Sequence, residues 1–254
     1  MKLIRYDPST QLRPYIKQYV VAEKDGAEQY KVLAATGLVM GFQYKGQLSR
    51  VNNLVATPLS TAGITGLTDS FQVFKNSEQT GTVLVYFKET GFTHFSTTPA
   101  NQIFNLSLPL TDIFDKYLVA QVEAQLSIAS SDFERIIIIE QFLVSQLLDI
   151  KCDLLIDQAV KLILQSEGTI RIKALSQQLF ISQSPFEKRF RKQVGTTAKK
   201  FCSIVRFNAV LRQINQTSSL TDLCYQNNYF DQAHFIKDFK QFTGETPENF
   251  KRCQ

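Results

Sequence analysis

The residues of this 254-residue chain best placed to do chemistry are the cations of ISQSPFEKRFRKQVG, residues 181–195. Lys188, Arg189, Arg191 and Lys192 crowd a segment with a Ser-x-x-Pro start, Phe186 and Phe190 four apart, and a stop at Gly195. Phenylalanines at i and i+4 share one face of a helix, which leaves the cations on the others. Such a helix is either an ordinary solvated surface or one that enters a DNA groove, and by itself the solvated reading is the better one.

A second copy changes the balance. FEKRFRKQVGTTAKKF at 186–201 and FIKDFKQFTGETPENF at 235–250 are identical at six of sixteen positions, at an offset of 49. The pairs are Phe186/Phe235, Lys188/Lys237, Phe190/Phe239, Gly195/Gly244, Thr197/Thr246 and Phe201/Phe250. Random pairing gives roughly one identity, so this is a duplicated supersecondary unit. The shared residues have physical roles. The phenylalanine pairs make one buried face, and the glycines fit the C′ position, where φ is positive. The threonines fit the N-cap of a following helix, and Pro247 fits N1.

The elements that must position these cations follow. RIKALSQQLFIS puts Ile172, Leu175 and Leu179 on one side of a short helix, and LTDLCYQNNYF does the same with Leu220, Leu223 and Cys224. Ser176 and Cys224 are small enough for close helix approach. Phe180-Ile181-Ser182 and Asn228-Tyr229-Phe230 read as the turns, with Asn228 suited to the left-handed conformation. Each unit is thus helix, tight turn, helix, the helix-turn-helix layout. Between the units, TAKKFCSIVRFNAVLRQIN has Phe201, Ile204, Phe207, Val210, Leu211 and Ile214 at helical spacing. A connector of about 18 residues spans ~27 Å, of the order of one DNA turn, ~34 Å.

Charge agrees with this division. Residues 1–150 hold 12 Lys/Arg and 14 Asp/Glu, net −2, and residues 151–254 hold 16 and 9, net +7. The basic end is the one with an electrostatic partner. Hydrophobic residues make up 44%, enough for a sizeable core. No apolar run reaches ~18 residues, which argues against a membrane span, and MKLIRYDPST lacks a signal-peptide core. Cys152, Cys202, Cys224 and Cys253 show no C-x-x-C spacing and read as reduced thiols of a cytoplasmic protein.

Residues 1–95 read as short strands broken by glycines, as in VLAATGLVMGFQYKGQL and GTVLVYFKETGF, with spacing suited to a barrel or sandwich. From Pro99, LTDIFDKYLVAQVEAQLSI and SDFERIIIIEQFLVSQLLDI read as helices, the second capped by Ser131 or Asp132. The four isoleucines of IIIIE suit a helix buried over most of its surface. The expected fold is α+β: a β-rich barrel- or sandwich-like part with helices over 1–150, then an all-α part with two helix-turn-helix units and a linker helix over 151–254.

At this point the residues resemble the AraC/XylS family of bacterial transcription regulators. The resemblance covers roughly residues 155–252 and is strongest in L-x-D-L-C, N-Y-F-D-Q-A-H-F-x-K-x-F and G-E-T-P-E-N-F between Leu220 and Phe250. VRFNAVLRQI resembles the family's linker helix, with Arg206 at its usual arginine. Asn228 stands where glycine is usual, Pro185 falls in the first turn of the first recognition helix, and Ile236 fills an outward position that is usually polar.

The resemblance implies that Ser184, Glu187, Lys188 and Arg191 of the first recognition helix, and Gln232, Ala233, Ile236 and Lys237 of the second, face base edges. Their chemistry suits that role: Lys or Arg to guanine, Gln to adenine, Glu to cytosine N4, and Ala or Ile to a thymine methyl. Arg189, Lys192 and Lys240 fit phosphate contacts. LRPYIKQYV and FKETGFTHF…LPLTDIF resemble a sensor-like N-terminal domain of some members. Double-stranded DNA is the expected partner. RNA polymerase, an unnamed small-molecule effector and a second copy of the chain, the last through IIIIEQFLVSQLL, are further candidates.

Enzymatic chemistry is not expected. His94, read in a strand or loop, and His234, read in the second recognition helix, have no partner at metal-ligand spacing. Phosphate-loop, dinucleotide and nucleophile-elbow motifs are absent. Cys202 has no histidine nearby in sequence. No catalytic residue, metal or cofactor is expected. A protein-interaction module of the same fold is the alternative to a DNA binder, and an N-terminal enzyme fused to a DNA-binding part is a weaker third reading.

Overall fold

The computed structural model describes residues 1–217 and 219–252. The last cysteine, Cys253, lies outside the described residues; Cys152, Cys202 and Cys224 are free thiols. Ten strands come first: β1 Lys2–Tyr6, β2 Ile16–Lys24, β3 Glu28–Val32, β4 Val39–Lys45, β5 Leu48–Asn52, β6 Val55–Pro58, β7 Ala62–Thr65, β8 Gln72–Asn76, β9 Thr80–Phe87 and β10 Ser107–Pro109. They form two antiparallel sheets, ordered β1-β2-β9-β4-β7-β10 and β3-β8-β5-β6. The first sheet is centred on β9, whose Val85 pairs with Tyr19 of β2 and Met40 of β4. Alternation sends Tyr19 and Val21, Met40 and Phe42, and Val83, Val85 and Phe87 into the core.

Two helices cover that sheet. α1 spans Lys116–Ile128 and α2 spans Asp132–Ser145. The sequence reading began the first of these at Leu110. Leu110–Asp112 is instead a separate 3-10 turn, and α1 starts where the Asp115 carboxylate accepts from the Tyr117 and Leu118 amides. Of the two candidate caps of α2, Ser131 is the one used, accepting from the Glu134 amide at 3.2 Å. The isoleucine run does not make α2 buried over most of its surface. Ile136 and Ile139 are buried, Ile138 is half-buried and Ile137 is exposed. The inward face of α2 instead rests on Phe142, which meets Phe42 and Phe114 edge-on at 6.3 and 5.4 Å.

Helices follow to the end: α3 Leu154–Gln165, α4 Ile172–Gln178, α5 Gln183–Val194, α6 Ala198–Gln213, α7 Leu220–Gln226, α8 Gln232–Thr243 and α9 Pro247–Arg252. Residues 146–153 join α2 to α3. Among the described residues no helix is long and apolar enough to cross a membrane.

Candidate nucleic-acid interface

The first unit is α4, a turn and α5. Leu175 of α4 and Phe186, Phe190 and Val194 of α5 are fully buried. In the turn the Ile181 amide donates to the Ser176 carbonyl at 3.1 Å, the long-range bond that closes a left-handed helix end. The residue that turns left-handed is Phe180, φ +52°. α5 then runs to Gly195, φ +102°, and Thr197 accepts from the Lys200 amide to start α6.

The second unit repeats this with one difference. The Tyr229 amide donates to the Cys224 carbonyl at 3.1 Å and Asn228 takes the left-handed position, φ +54°. α4 and α7 therefore correspond at an offset of 48, whereas α5 and α8 correspond at 49. The extra residue is Phe230, between the turn and Asp231, which caps α8 by accepting from the His234 amide at 2.7 Å. Gly244 ends α8 at φ +81°, and Thr246 accepts from the Asn249 amide to begin α9.

α6 serves both units. Its 16 residues span about 24 Å. Phe201, at its first turn, meets Phe190 at 5.7 Å, as Phe250 of α9 meets Phe239 at 5.4 Å. Phe207, farther along, stacks on Phe242 at 4.6 Å and meets Phe239 edge-on. The repeated phenylalanines are thus the parts that close each unit. Asn227, buried, donates to Gln213 at the end of α6 and to the Leu223 carbonyl.

The expected contact residues fall into groups. Ser184, Lys188 and Arg191 of α5, and Ala233, Ile236 and Lys237 of α8, are all exposed, on the sides away from the phenylalanines. Lys192 and Lys240 are exposed beside them. Gln232 is exposed and donates to Thr221 at 2.6 Å. Two residues are engaged by partners within the chain. Glu187 is half-buried and accepts from the Ala198 amide at 3.3 Å, so its carboxylate faces the start of α6, where the orphan amides are. Arg189 forms a two-pronged ion pair with Asp153, at 2.9 and 2.5 Å, ahead of α3; that partner raises the guanidinium's already high pKa. Pro185 lies in the first turn of α5, where proline removes no helical hydrogen bond.

Residues 175–252 match a family described as a helix-turn-helix domain, and residues 4–109 match one described as a domain of unknown function (DUF6597). Over 83 residues the chain is 26% identical to an uncharacterised HTH-type transcriptional regulator of Staphylococcus aureus, covering 32% of this chain. The chain spans about a tenth of the length of that relative, 11%. The fold is similar to that of ToxT from Vibrio cholerae, with a TM-score of 0.50, 12% identity, and coverage of 92% of this chain and 97% of that one. The C-terminal helices from residue 175 to 252 match a helix-turn-helix domain.

The β-rich part is docked on the helix-turn-helix domain. The Thr93 hydroxyl donates to Gln193 at 3.0 Å, Thr90 donates to Asp157 at 2.7 Å, and Asn208 donates to the Ala34 carbonyl at 3.1 Å. Asp69, between β7 and β8, accepts from Lys200 of α6 at 2.6 Å, and its backbone carbonyl accepts from Gln241 of α8 at 2.9 Å. Lys31 of β3 donates to the Thr243 carbonyl and to Glu245. Two cavities open along this seam. One, of about 430 Å³, lies between Lys17, Tyr86 and Phe87 on one side and Leu164, Val205 and Arg212 on the other. The other, of about 420 Å³, lies between Tyr15 and His94 and the α3 residues Val160 and Lys161.

His94 is not in a strand or loop. It ends a 3-10 turn, Gly91–His94, buried against the Tyr15 ring at 4.6 Å, and burial holds its pKa below the ordinary histidine value although Asp157 opposes this. His234 is exposed, with Tyr229 and Asp238 as neighbours. Among the described residues no cluster of His, Cys, Asp and Glu could hold a metal ion. Burial pushes the Cys202 thiol up to about 12, which suits a packing residue rather than a nucleophile.

Proposed function

We propose that this protein is a sequence-specific transcription regulator that places α5 and α8 in successive major-groove faces on one side of a DNA duplex. The observation that carries this reading is the pair of helix-turn-helix units on one connector, each turning a basic face outward while Phe186 and Phe190, or Phe235 and Phe239, are buried. Ser184, Lys188 and Arg191 read bases in one groove face, and Gln232, Ala233, Ile236 and Lys237 in the next. Lys192 and Lys240 neutralise phosphates. Glu187 and Arg189 reach DNA only on leaving Ala198 and Asp153, and as placed they brace α5 instead.

Residues 1–150 act as the regulating part in this reading, and residues 151–254 as the DNA-binding part. A small effector seated in either seam cavity touches both at once. It therefore shifts their docking equilibrium by whatever difference in affinity it has for the docked and undocked arrangements.

The test is selection of genomic fragments by the full chain, followed by gel shifts on an enriched fragment and on random DNA. Lys188→Ala and Lys237→Ala each weaken the enriched fragment more than random DNA, by about tenfold. Lys192→Ala weakens both alike and lowers the salt slope by about one. Equal losses on all sequences for all three variants refute the assignment of base readers. No salt-sensitive retention of any fragment favours the protein-interaction module.

A further inference from the structure

Phe180 breaks two rules of protein structure, and Phe230 breaks one of them. Phe180 is 98% exposed and Phe230 is 90% exposed. Large aromatic side chains gain by burial, yet Phe180 stands between the half-buried Leu179 and Ile181, and Phe230 follows the buried Tyr229. Phe180 also holds the left-handed conformation, φ +52°, where a Cβ meets the carbonyl and where glycine or asparagine is the usual choice. The second unit shows that the position tolerates the ordinary solution, since Asn228 occupies it there at φ +54°. A strained backbone carrying a ring that touches nothing is the kind of local conflict found at functional sites.

The position of the two rings decides which function. Phe180 stands two residues before Ser182, the N-cap of α5, and Phe230 stands one residue before Asp231, the N-cap of α8. In a docked helix-turn-helix unit the N-terminal end of the second helix is the end that meets base edges. The extra residue in the second turn moves the aromatic off the left-handed position, yet an exposed ring is still present at the same end of the helix. The helix that follows each ring carries exposed cations farther along: Lys188, Arg191 and Lys192 on α5, Lys237 and Lys240 on α8. An exposed aromatic at the entry end of a helix that carries cations along its length is complementary to duplex DNA, whose backbone carries phosphates and whose major groove carries thymine methyls.

We propose that Phe180 and Phe230 are DNA-contacting residues, each laying its ring against a thymine methyl and the adjoining deoxyribose beside the entry point of its recognition helix. The proposal rests on the reading of this protein as a DNA binder and adds to it a preference for thymine at the flank of each half-site. The contact is apolar, so it contributes affinity that does not fall with salt.

The experiment uses the full chain and a fragment enriched by the parent protein. Phe180→Gly and Phe180→Asn both suit a positive φ, so both keep the turn, and Phe230→Ser removes the second ring. Each variant loses about fivefold to tenfold in affinity for the enriched fragment, keeps the parent's slope of log K against log salt, and keeps the parent's affinity for random DNA. Replacing thymine by uracil at the protected flank removes only the methyl. It weakens the parent by a similar factor and leaves the Phe180 variants unchanged. Parent-like affinity of all three variants for the enriched fragment overturns the proposal while leaving the DNA-binding reading intact. So does an unchanged DNA affinity accompanied by loss of self-association, which assigns the rings to a protein contact. A parent that retains no fragment at all overturns both readings together.

Discussion

Arg206 supports the second recognition helix from the side opposite its exposed face. Its guanidinium lies 4.3 Å over the Tyr229 ring and 3.7 Å from the Asp238 carboxylate, so one α6 residue holds both the turn and the second turn of α8. Arg206 and Asp238 are each less than a fifth exposed, so removing the arginine leaves a largely buried carboxylate without its cation. Arg206→Ala is expected to cost about 1–3 kcal/mol of stability, read as a lowered midpoint in denaturant unfolding. A variant as stable as the parent shows that His234, 3.6 Å from the same carboxylate, suffices. Phe180→Gly runs in the opposite direction. Relief of a left-handed non-glycine residue outweighs the added freedom of glycine in the unfolded chain, and the expected gain is about 0.5–1 kcal/mol. Thermal unfolding checks it, and a lowered midpoint means that the Phe180 ring has a partner in the folded chain.

At the scale of elements, the chain just beyond the end of α3 packs tightly on α6 at Gly168, φ +74°. A Cβ there would run into the Cys202 carbonyl oxygen and come within 2.8 Å of the Arg206 amide, both of them helix backbone that cannot yield cheaply. Gly168→Ala therefore combines a disfavoured φ with a backbone clash and is expected to cost about 3 kcal/mol. Amide exchange along α6 is the measurement, and unchanged protection there refutes the clash. Gly168 was invisible to a reading built on the repeat, because nothing at the equivalent place in the second unit echoes it. Elements that repeat were readable for the converse reason. Phe186, Phe190, Gly195 and Thr197 each fix a buried face, a stop or a cap, and their second copies confirmed the assignment. The strands announced their presence but not their pairing, since β9 lies between β2 and β4 through contacts distant in sequence. The false start of α1 at Leu110 came from an apolar run continued across a 3-10 turn. Helical spacing shows neither the Glu187 bond to Ala198 nor the Arg189 pair with Asp153, because those partners belong to other elements.

At the scale of the whole molecule, the loop between β7 and β8 ties the β-rich part to both helix-turn-helix units at once. The Asp69 carboxylate takes Lys200, which follows the first unit, while its backbone carbonyl takes Gln241 of the second. Lys31 adds bonds to Thr243 and Glu245, and the Phe71 ring lies against Gly244. Any motion of α8 relative to α6 must break part of this contact, so the loop holds the spacing of the two recognition helices to one value while it is engaged. Burial disfavours the charge on Asp69, but the hydrogen bonds from Lys200 and Asn105 outweigh it, and the carboxyl titrates below its ordinary value. A depressed folded-state pKa contributes stability that is present above the unfolded value, about 4, and is lost as pH falls through the lower folded value. Asp69→Asn is accordingly expected to destabilise by about 1 kcal/mol at pH 7, a modest figure because Lys200 is partly solvated. The difference between variant and parent should close as both are taken below the depressed folded-state pKa of Asp69. Unfolding of the two proteins at the two pH values, with amide exchange over 241–246, is the check. A gap that persists unchanged in acid places the effect of the substitution in the amide's packing rather than in the charge, and the loop then acts as a spacer through Gln241 and Lys31 alone.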